Sequence, residues 1–291
     1  MNKDRLKLFI KLLLTGLALY LVFSKIDTTT TLAIMASANW FYLFVALMLF
    51  VLSKIFSSFR LNYYFLDLGL KIPTLENLKL YGIGMFYNLF LPGGIGGDGY
   101  KVYLLNKSYQ TPVKQLLQAV LLDRLNGMAV LVFLMFLLMV WIKVDAILPI
   151  DTAMLGLWGM VLLPLGFYGM MRLLFRGFMG SLVITVFYSF LVQLLQLISA
   201  FFILKALGVT EQVLEYQFVF LLSSIAAVLP LTIGGVGARE LVFIFSHDYM
   251  GIDENLAVAF SLLFFVITAF TSLTGVFMKF RQEKAHVTPS A

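Results

Sequence analysis

LPGGIGGDGYKVYLLNK, residues 91–107, interrupts a chain that is otherwise mostly apolar. A proline, five glycines and an aspartate follow directly on the apolar run from Tyr81 to Leu91. That run is too short to cross a bilayer, which takes about 20 apolar residues. A second stretch has the same character: residues 217–231 are apolar and end near Pro230, and then PLTIGGVGARE occupies residues 230–240. Backbone that leaves the helix at membrane depth is tolerated only where protein buries it or water reaches it. The two stretches are therefore expected to be helices that enter the bilayer, break and turn back.

The surroundings set this as a membrane chain. Of 291 residues, 61% are hydrophobic and only 12% charged, and the mean hydropathy is +0.97. A soluble domain of this size needs more charge to cover its surface. Full-length apolar runs lie at roughly 8–24, 40–59, 116–142, 153–171, 180–204 and 256–278. The first lacks a small-residue cleavage site after Phe23 and is read as a helix, not a removed signal. The expectation is an all-α polytopic membrane protein of about six transmembrane helices plus two re-entrant broken helices, in one integral membrane domain over 1–291.

Charge placement gives an orientation. With the N-terminus in the cytoplasm and both short runs re-entrant, 17 of the 21 Lys and Arg residues fall on the cytoplasmic side. Only Lys25, Lys143, Lys205 and Arg239 fall outside, a split that the positive-inside rule favours. The same layout contains a repeat. Shifted by 141 residues, 40–59 falls on 181–200, Gly93-Gly94-Ile95-Gly96 on Gly234-Gly235-Val236-Gly237, and 116–142 on 257–283. The pseudo-repeats cover approximately 1–145 and 150–284. Each holds an odd number of spans, so the second is expected upside down relative to the first, the plan of many secondary transporters.

Candidate binding residues cluster at the breaks. Gly93, Gly94, Gly96 and Gly97 offer backbone N–H groups to an anion, Lys101 adds a positive charge, and Asp98 can cap the next helix, hold Lys101 or take a proton. The mirrored set is Gly234, Gly235, Gly237, Arg239 and Glu240. Arg239, a cation on the outer side, suits a phosphate, which guanidinium grips as a fork; a surface pair with Glu240 or Asp248 is the plainer alternative. Asp123 and Arg124, in LLDRLNG at 121–127, face a partner or cavity if buried, or sit at the interface. Arg60 either holds a phosphate or snorkels to the headgroups. Gln193 and Gln196 join helices or line a path.

Other chemistries find little support. Cysteine is absent and histidine is limited to His247 and His286, which disfavours a metal or haem site. Gly94-x-Gly96-x-x-Gly99 fits a dinucleotide fingerprint in letters only, because the preceding segment is a membrane helix and not a strand. No Walker A sequence occurs, and no nucleophile–base pair or carboxylate pair stands out. No cofactor and no nucleic-acid partner are expected.

LPGGIGGDGYKVYLL, LLDRLNGM and PLTIGGVGARELVF together resemble the lysylphosphatidylglycerol synthase transmembrane family, the membrane (flippase) half of the MprF proteins, over roughly residues 8–280. Family members often carry arginine where this chain has Lys101. The resemblance implies translocation of an anionic lipid, or of a lipid-linked sugar or aminoacyl headgroup, across a bacterial-type inner membrane; the charge count puts both termini in the cytoplasm, and the missing catalytic constellation leaves no catalysis expected. The partner would be a membrane lipid with a phosphate headgroup or a polyprenyl-phosphate glycan. In bifunctional members an aminoacyl-transferase domain follows; this chain ends at Ala291 after a short basic tail and is expected not to make lysyl-lipid itself. The alternative is a non-catalytic membrane partner of a glycosyltransferase or lipid-modifying enzyme.

Overall fold

The computed structural model describes residues 20–90, 96–142, 151–228 and 237–281, apart from 23 and 25. The described residues are helical, with short connections. In chain order the α-helices are α1 (Thr28–Ala36), α2 (Trp40–Asp67), α3 (Thr74–Phe90), α4 (Gly96–Tyr109), α5 (Val113–Met139), α6 (Thr152–Leu174), α7 (Leu182–Ala206), α8 (Val213–Val228), α9 (Ala238–Met250) and α10 (Glu254–Leu273). Five of them, α2, α5, α6, α7 and α10 with its 3₁₀ extension to Phe277, are long and apolar enough to cross a membrane. The protein is a multi-pass membrane protein. The expected span at 8–24 lies almost wholly outside the described residues.

Polar punctuation explains the helix ends. Asp27, Asn39, Asp151 and Asp253 each accept hydrogen bonds from backbone N–H groups of the helix that follows, at the starts of α1, α2, α6 and α10, as N-caps do. α2 and α7 each stop at a glycine in the left-handed region, Gly69 with φ 78° and Gly208 with φ 77°. Only glycine adopts that conformation without strain. α4 and α9 stop in the same way, at Gln110 with φ 55° and Gly251 with φ 65°.

The two short apolar runs are half-length helices, as expected. α3 has 17 residues and α8 has 16, so each is about 25 Å long. Each packs against the short helix that follows it, α3 on α4 and α8 on α9. The α3–α4 contact is backbone on backbone: a Cβ on Gly97 would overlap the carbonyl of Gly84. Farther along α4, Lys101 passes Gly84 and reaches the ring of Tyr81, so the two helices run antiparallel.

The order long, short, short, long thus occurs twice, in α2–α5 and in α7–α10, with α6 between. Contacts follow the same rhythm. α2 packs along α7, the most extensive helix pair among the described residues; α3 packs on α10, and α8 packs on α5. Each half-length helix therefore leans on the last long helix of the opposite set. Among the described residues two large apolar cores result, beside a small one at Val22, Ile26, Ile244 and Val258. One large core is centred on Phe50, Phe220, Phe243 and Phe260, and the other on Leu61, Tyr64, Phe65, Leu105 and Leu122.

One boundary differs from the sequence expectation in a way that matters. The span expected at 40–59 continues to Asp67. Its last turns, SSFRLNYYFLD, look too polar for a bilayer, but Ser57, Ser58, Arg60, Tyr64 and Phe65 are buried against other helices. Lys54 therefore falls at the middle of α2, and Arg60 falls inside the protein. Neither is a loop charge, and neither are Lys101, Arg124 and Arg239. Removing these five from the tally leaves thirteen cations against three, so the orientation bias survives the correction.

The α3–α4 crossing makes a test within one helix. Gly97→Ala pushes a methyl group into the Gly84 carbonyl and should destabilise by about 1–3 kcal/mol. Gly99→Ala, with nothing within 4 Å of its Cβ, should stabilise by about 0.4–1 kcal/mol. Melting midpoints of the two purified variants in detergent should move in opposite directions from the parent.

Candidate functional site

A charged network sits inside the first half of the molecule. Arg60 Nε donates to Asp123 Oδ1 at 2.7 Å, and its Nη1 donates to Ser189 Oγ at 2.9 Å. Asp98 accepts from Lys101 Nζ at 2.9 Å and also from Arg124 Nε. Arg60, Asp98, Lys101 and Asp123 are all buried, each no more than 6% exposed. α2, α4, α5 and α7 thereby meet through charge and not only through apolar packing. Gly127 makes room for this: a Cβ there would crowd the Arg60 guanidinium at 3.0 Å. The Lys101 ammonium also lies 4.7 Å from the centre of the Tyr81 ring.

This arrangement resolves several open readings. Arg60 does not snorkel; it is an internal ion-pair partner. Asp123 is not at the interface but buried. Gln193 joins helices, its Nε2 donating to the carbonyl of Gly127 at 2.9 Å. The glycines act less as an anion cradle than expected. The Gly97 N–H is taken by Asn88 Oδ1 at 2.8 Å, and the Gly237 N–H by Glu240 Oε2 at 2.7 Å. Gly97 is needed for close packing. Gly237, with φ 84°, is needed for its backbone conformation. Gly96 opens α4, while Gly93, Gly94, Gly234 and Gly235 lie outside the described residues.

The second half carries a sparser version of the site. Glu240 is the third residue of α9, as Asp98 is of α4. Glu240 is buried and spends its oxygens on Gly237 N–H and on Ser261 Oγ, the latter at 2.8 Å. It does not pair with Arg239, nor does Asp248. By helix position the counterpart of Asp123 is Phe264, and that of Lys101 is Phe243. Charges in one half are thus matched by rings in the other. Glu240, rather than Arg239, is the positional match to Asp98.

Between the halves lies a cavity of about 230 Å³, lined by Lys54, Tyr81, Asn88, Ala227, Thr268 and Ser272 among others. These residues come from α2, α3, α8 and α10, so both half-length helices contribute to its wall. Lys54 is part of its wall, and Arg239 approaches through the ring of Phe264, which packs on Phe50. Among the described residues neither has an ion-pair partner. Each rests on an aromatic face instead. Lys54 Nζ is 4.4 Å from the centre of the Phe50 ring, and the Arg239 guanidinium is 5.2 Å from that of Phe264. Those two rings pack edge to face at 5.5 Å.

The model of the family described as the lysylphosphatidylglycerol synthase TM region matches residues 8–275. The chain belongs to the lysylphosphatidylglycerol synthase transmembrane family. No curated protein matches the chain closely enough to narrow its role. In this member of the family the charged network draws on three long helices, α2, α5 and α7, and on the short α4. Residue-type reasoning identified Arg60, Asp98, Lys101, Asp123, Arg124 and Arg239, and the structure brings the first five together. It missed Lys54, Tyr81 and Asn88. The available signal for Lys54 was a lone cation 15 residues into an apolar run that begins at Trp40; such intramembrane charge is costly and rarely idle.

Breaking a buried pair from one side strands the other charge. Arg60→Leu should lower stability by roughly 3–5 kcal/mol, and Arg60→Leu/Asp123→Leu should recover most of the loss. Thermal midpoints in detergent for the two single variants and the double variant check this. A double variant no more stable than the worse single would show that the pair is not what holds α2 to α5.

Proposed function

We propose that this protein carries the headgroup of an anionic lipid or lipid-linked sugar across a bacterial inner membrane, with both chain termini on the cytoplasmic side and no covalent change to the lipid. The observation that carries this reading is the pair Lys54 and Arg239. Lys54 lies in the wall of a cavity between two half-length helices and Arg239 lies nearby; both rest on aromatic faces, and among the described residues neither has an ion-pair partner. A phosphate supplies one, in a place where charge–charge attraction is little screened. The lipid tails need not leave the bilayer, because only the headgroup requires a polar, protein-lined path.

The two helix sets are read as inverted repeats. This is supported by their matching order, by their matching left-handed stops and by the exchange of contacts between them. α2 and α7 then form the central pair, and each half-length hairpin closes one side of the cavity. The internal excess of positive charge fits an anionic cargo. Asp98 and Asp123 keep Arg60, Lys101 and Arg124 compensated when no cargo is bound. A non-catalytic partner of a transferase would need none of this electrostatic arrangement.

The test uses purified protein in liposomes with fluorescent phosphatidylglycerol in one leaflet. Parent protein should speed the loss of asymmetry. Lys54→Met and Arg239→Gln should each slow it about ten- to a hundredfold, the range for losing one hydrogen bond to a charged group, at unchanged melting midpoint. Asp98→Asn should also slow it. If both cation variants move lipid as fast as the parent, the cavity is not the route. Mass spectrometry of the recovered lipid should show its mass unaltered.

A further inference from the structure

Where α2 ends, α5 begins and α6 ends, a recess of about 520 Å³ opens, lined by none of the residues of the charged network. Its wall carries both signs of charge. Asp67 is the last residue of α2, and Arg176 opens the 3₁₀ turn that follows α6. Among the described residues no ion pair joins them. Each is fixed by one bond of its own: Ser181 Oγ donates to Asp67 Oδ2, and Arg176 Nε donates to the carbonyl of Arg172 at 2.8 Å. Asp67 Oδ1 and the two terminal nitrogens of Arg176 make no further bond among the described residues. Arg172 itself is engaged elsewhere, its guanidinium 5.6 Å from the centre of the Tyr168 ring. Gln115 and Gln118 of α5 add neutral donors and acceptors to the same wall.

Opposite charges that share a recess without touching suit a ligand that itself carries both signs. Such a ligand makes a charge-assisted bond to each. A ligand of one sign satisfies one group and is repelled by the other. The recess also has an apolar margin: Leu173 and Leu174 line it and are 75% and 67% exposed. They close α6, which of the five long helices buries the least of itself inside the protein and so meets lipid. At the end of a membrane-crossing helix, a polar recess beside two bare leucines offers adjoining surfaces to a headgroup and its chains.

We propose that this recess binds a phospholipid whose headgroup carries a primary ammonium beside its phosphate, as phosphatidylethanolamine does. Asp67 accepts from the ammonium, Arg176 holds the phosphate, and Leu173 and Leu174 lie along the chains. The site is separate from the headgroup path: Lys54 and Arg239 are not part of it, and translocation can fail while it stands.

The experiment titrates dioctanoyl phosphatidylethanolamine, dioctanoyl phosphatidylcholine and free phosphoethanolamine against full-length purified protein in detergent, with affinity read from the rise in melting midpoint. The parent should bind phosphatidylethanolamine about tenfold more tightly than phosphatidylcholine, whose quaternary ammonium has no hydrogen to donate; this is the value of one hydrogen bond to a charged group. Asp67→Asn, whose amide oxygen still accepts from Ser181, should abolish the preference and leave phosphatidylcholine affinity unchanged. Arg176→Gln, at an exposed position that the fold does not need, should weaken both lipids about tenfold. Lys54→Met should change neither affinity. Equal binding of the two lipids by the parent, or a preference that survives Asp67→Asn, would overturn the ammonium contact. Unchanged affinities in Arg176→Gln would overturn the phosphate contact, and phosphoethanolamine binding as tightly as the lipid would overturn a lipid as the occupant.

Discussion

The structure depends on the cost of holding charge away from water. Five cations, Lys54, Arg60, Lys101, Arg124 and Arg239, lie at the helix contacts around its centre, and Asp98 and Asp123 are the carboxylates that pair with three of them, Arg60, Lys101 and Arg124. In a medium of low dielectric each unmatched charge is expensive. The geometry therefore follows the pairing. α2 is drawn to α5 by Arg60 and Asp123, and α4 to α5 by Asp98 and Arg124. Glycines at 84, 97 and 127 let the backbones come close enough for those bonds to form. Apolar packing alone would not fix these helices so closely, because lipid tails solvate Leu and Phe as well as protein does.

The charges left over define where something else can bind. Lys54 and Arg239 are held by Phe50 and Phe264, whose faces stabilise a cation less than a carboxylate would. Such a cation is ready to exchange an aromatic face for an oxygen. A pocket built this way favours an anion without binding it irreversibly, as the proposed carrier role requires: cargo held by a full salt-bridge network would arrive and stay.

Much of this architecture can be read from residue order, because it follows from local rules. Length and hydropathy mark the long spans. A run of a dozen apolar residues ending in Pro-Gly-Gly marks a half-span. An offset of 141 aligns the glycine breaks, and the left-handed stops at Gly69 and Gly208 keep nearly the same interval. What stayed hidden involves partners distant in sequence. Arg60 and Asp123 are 63 residues apart, and nothing local shows that they meet. The polar tail of α2 resembles interface until Asn77, whose Nδ2 bonds to Ser58 from across the α2–α3 contact, shows it to be interior. Lys54, counted with the cytoplasmic charges, lies at the middle of α2. The glycines also illustrate the limit: composition marks them as special, but only coordinates separate Gly97, present for proximity, from Gly237, present for its torsion.

By helix position Asp123 and Lys101 have Phe264 and Phe243 as counterparts, so an operation that matched the two helix sets would not match their electrostatics. One set is joined by ions and the other by rings. For the proposed carrier, the two sides of the membrane would then be chemically unlike, and molecules inserted into vesicles in opposite directions would not be interchangeable.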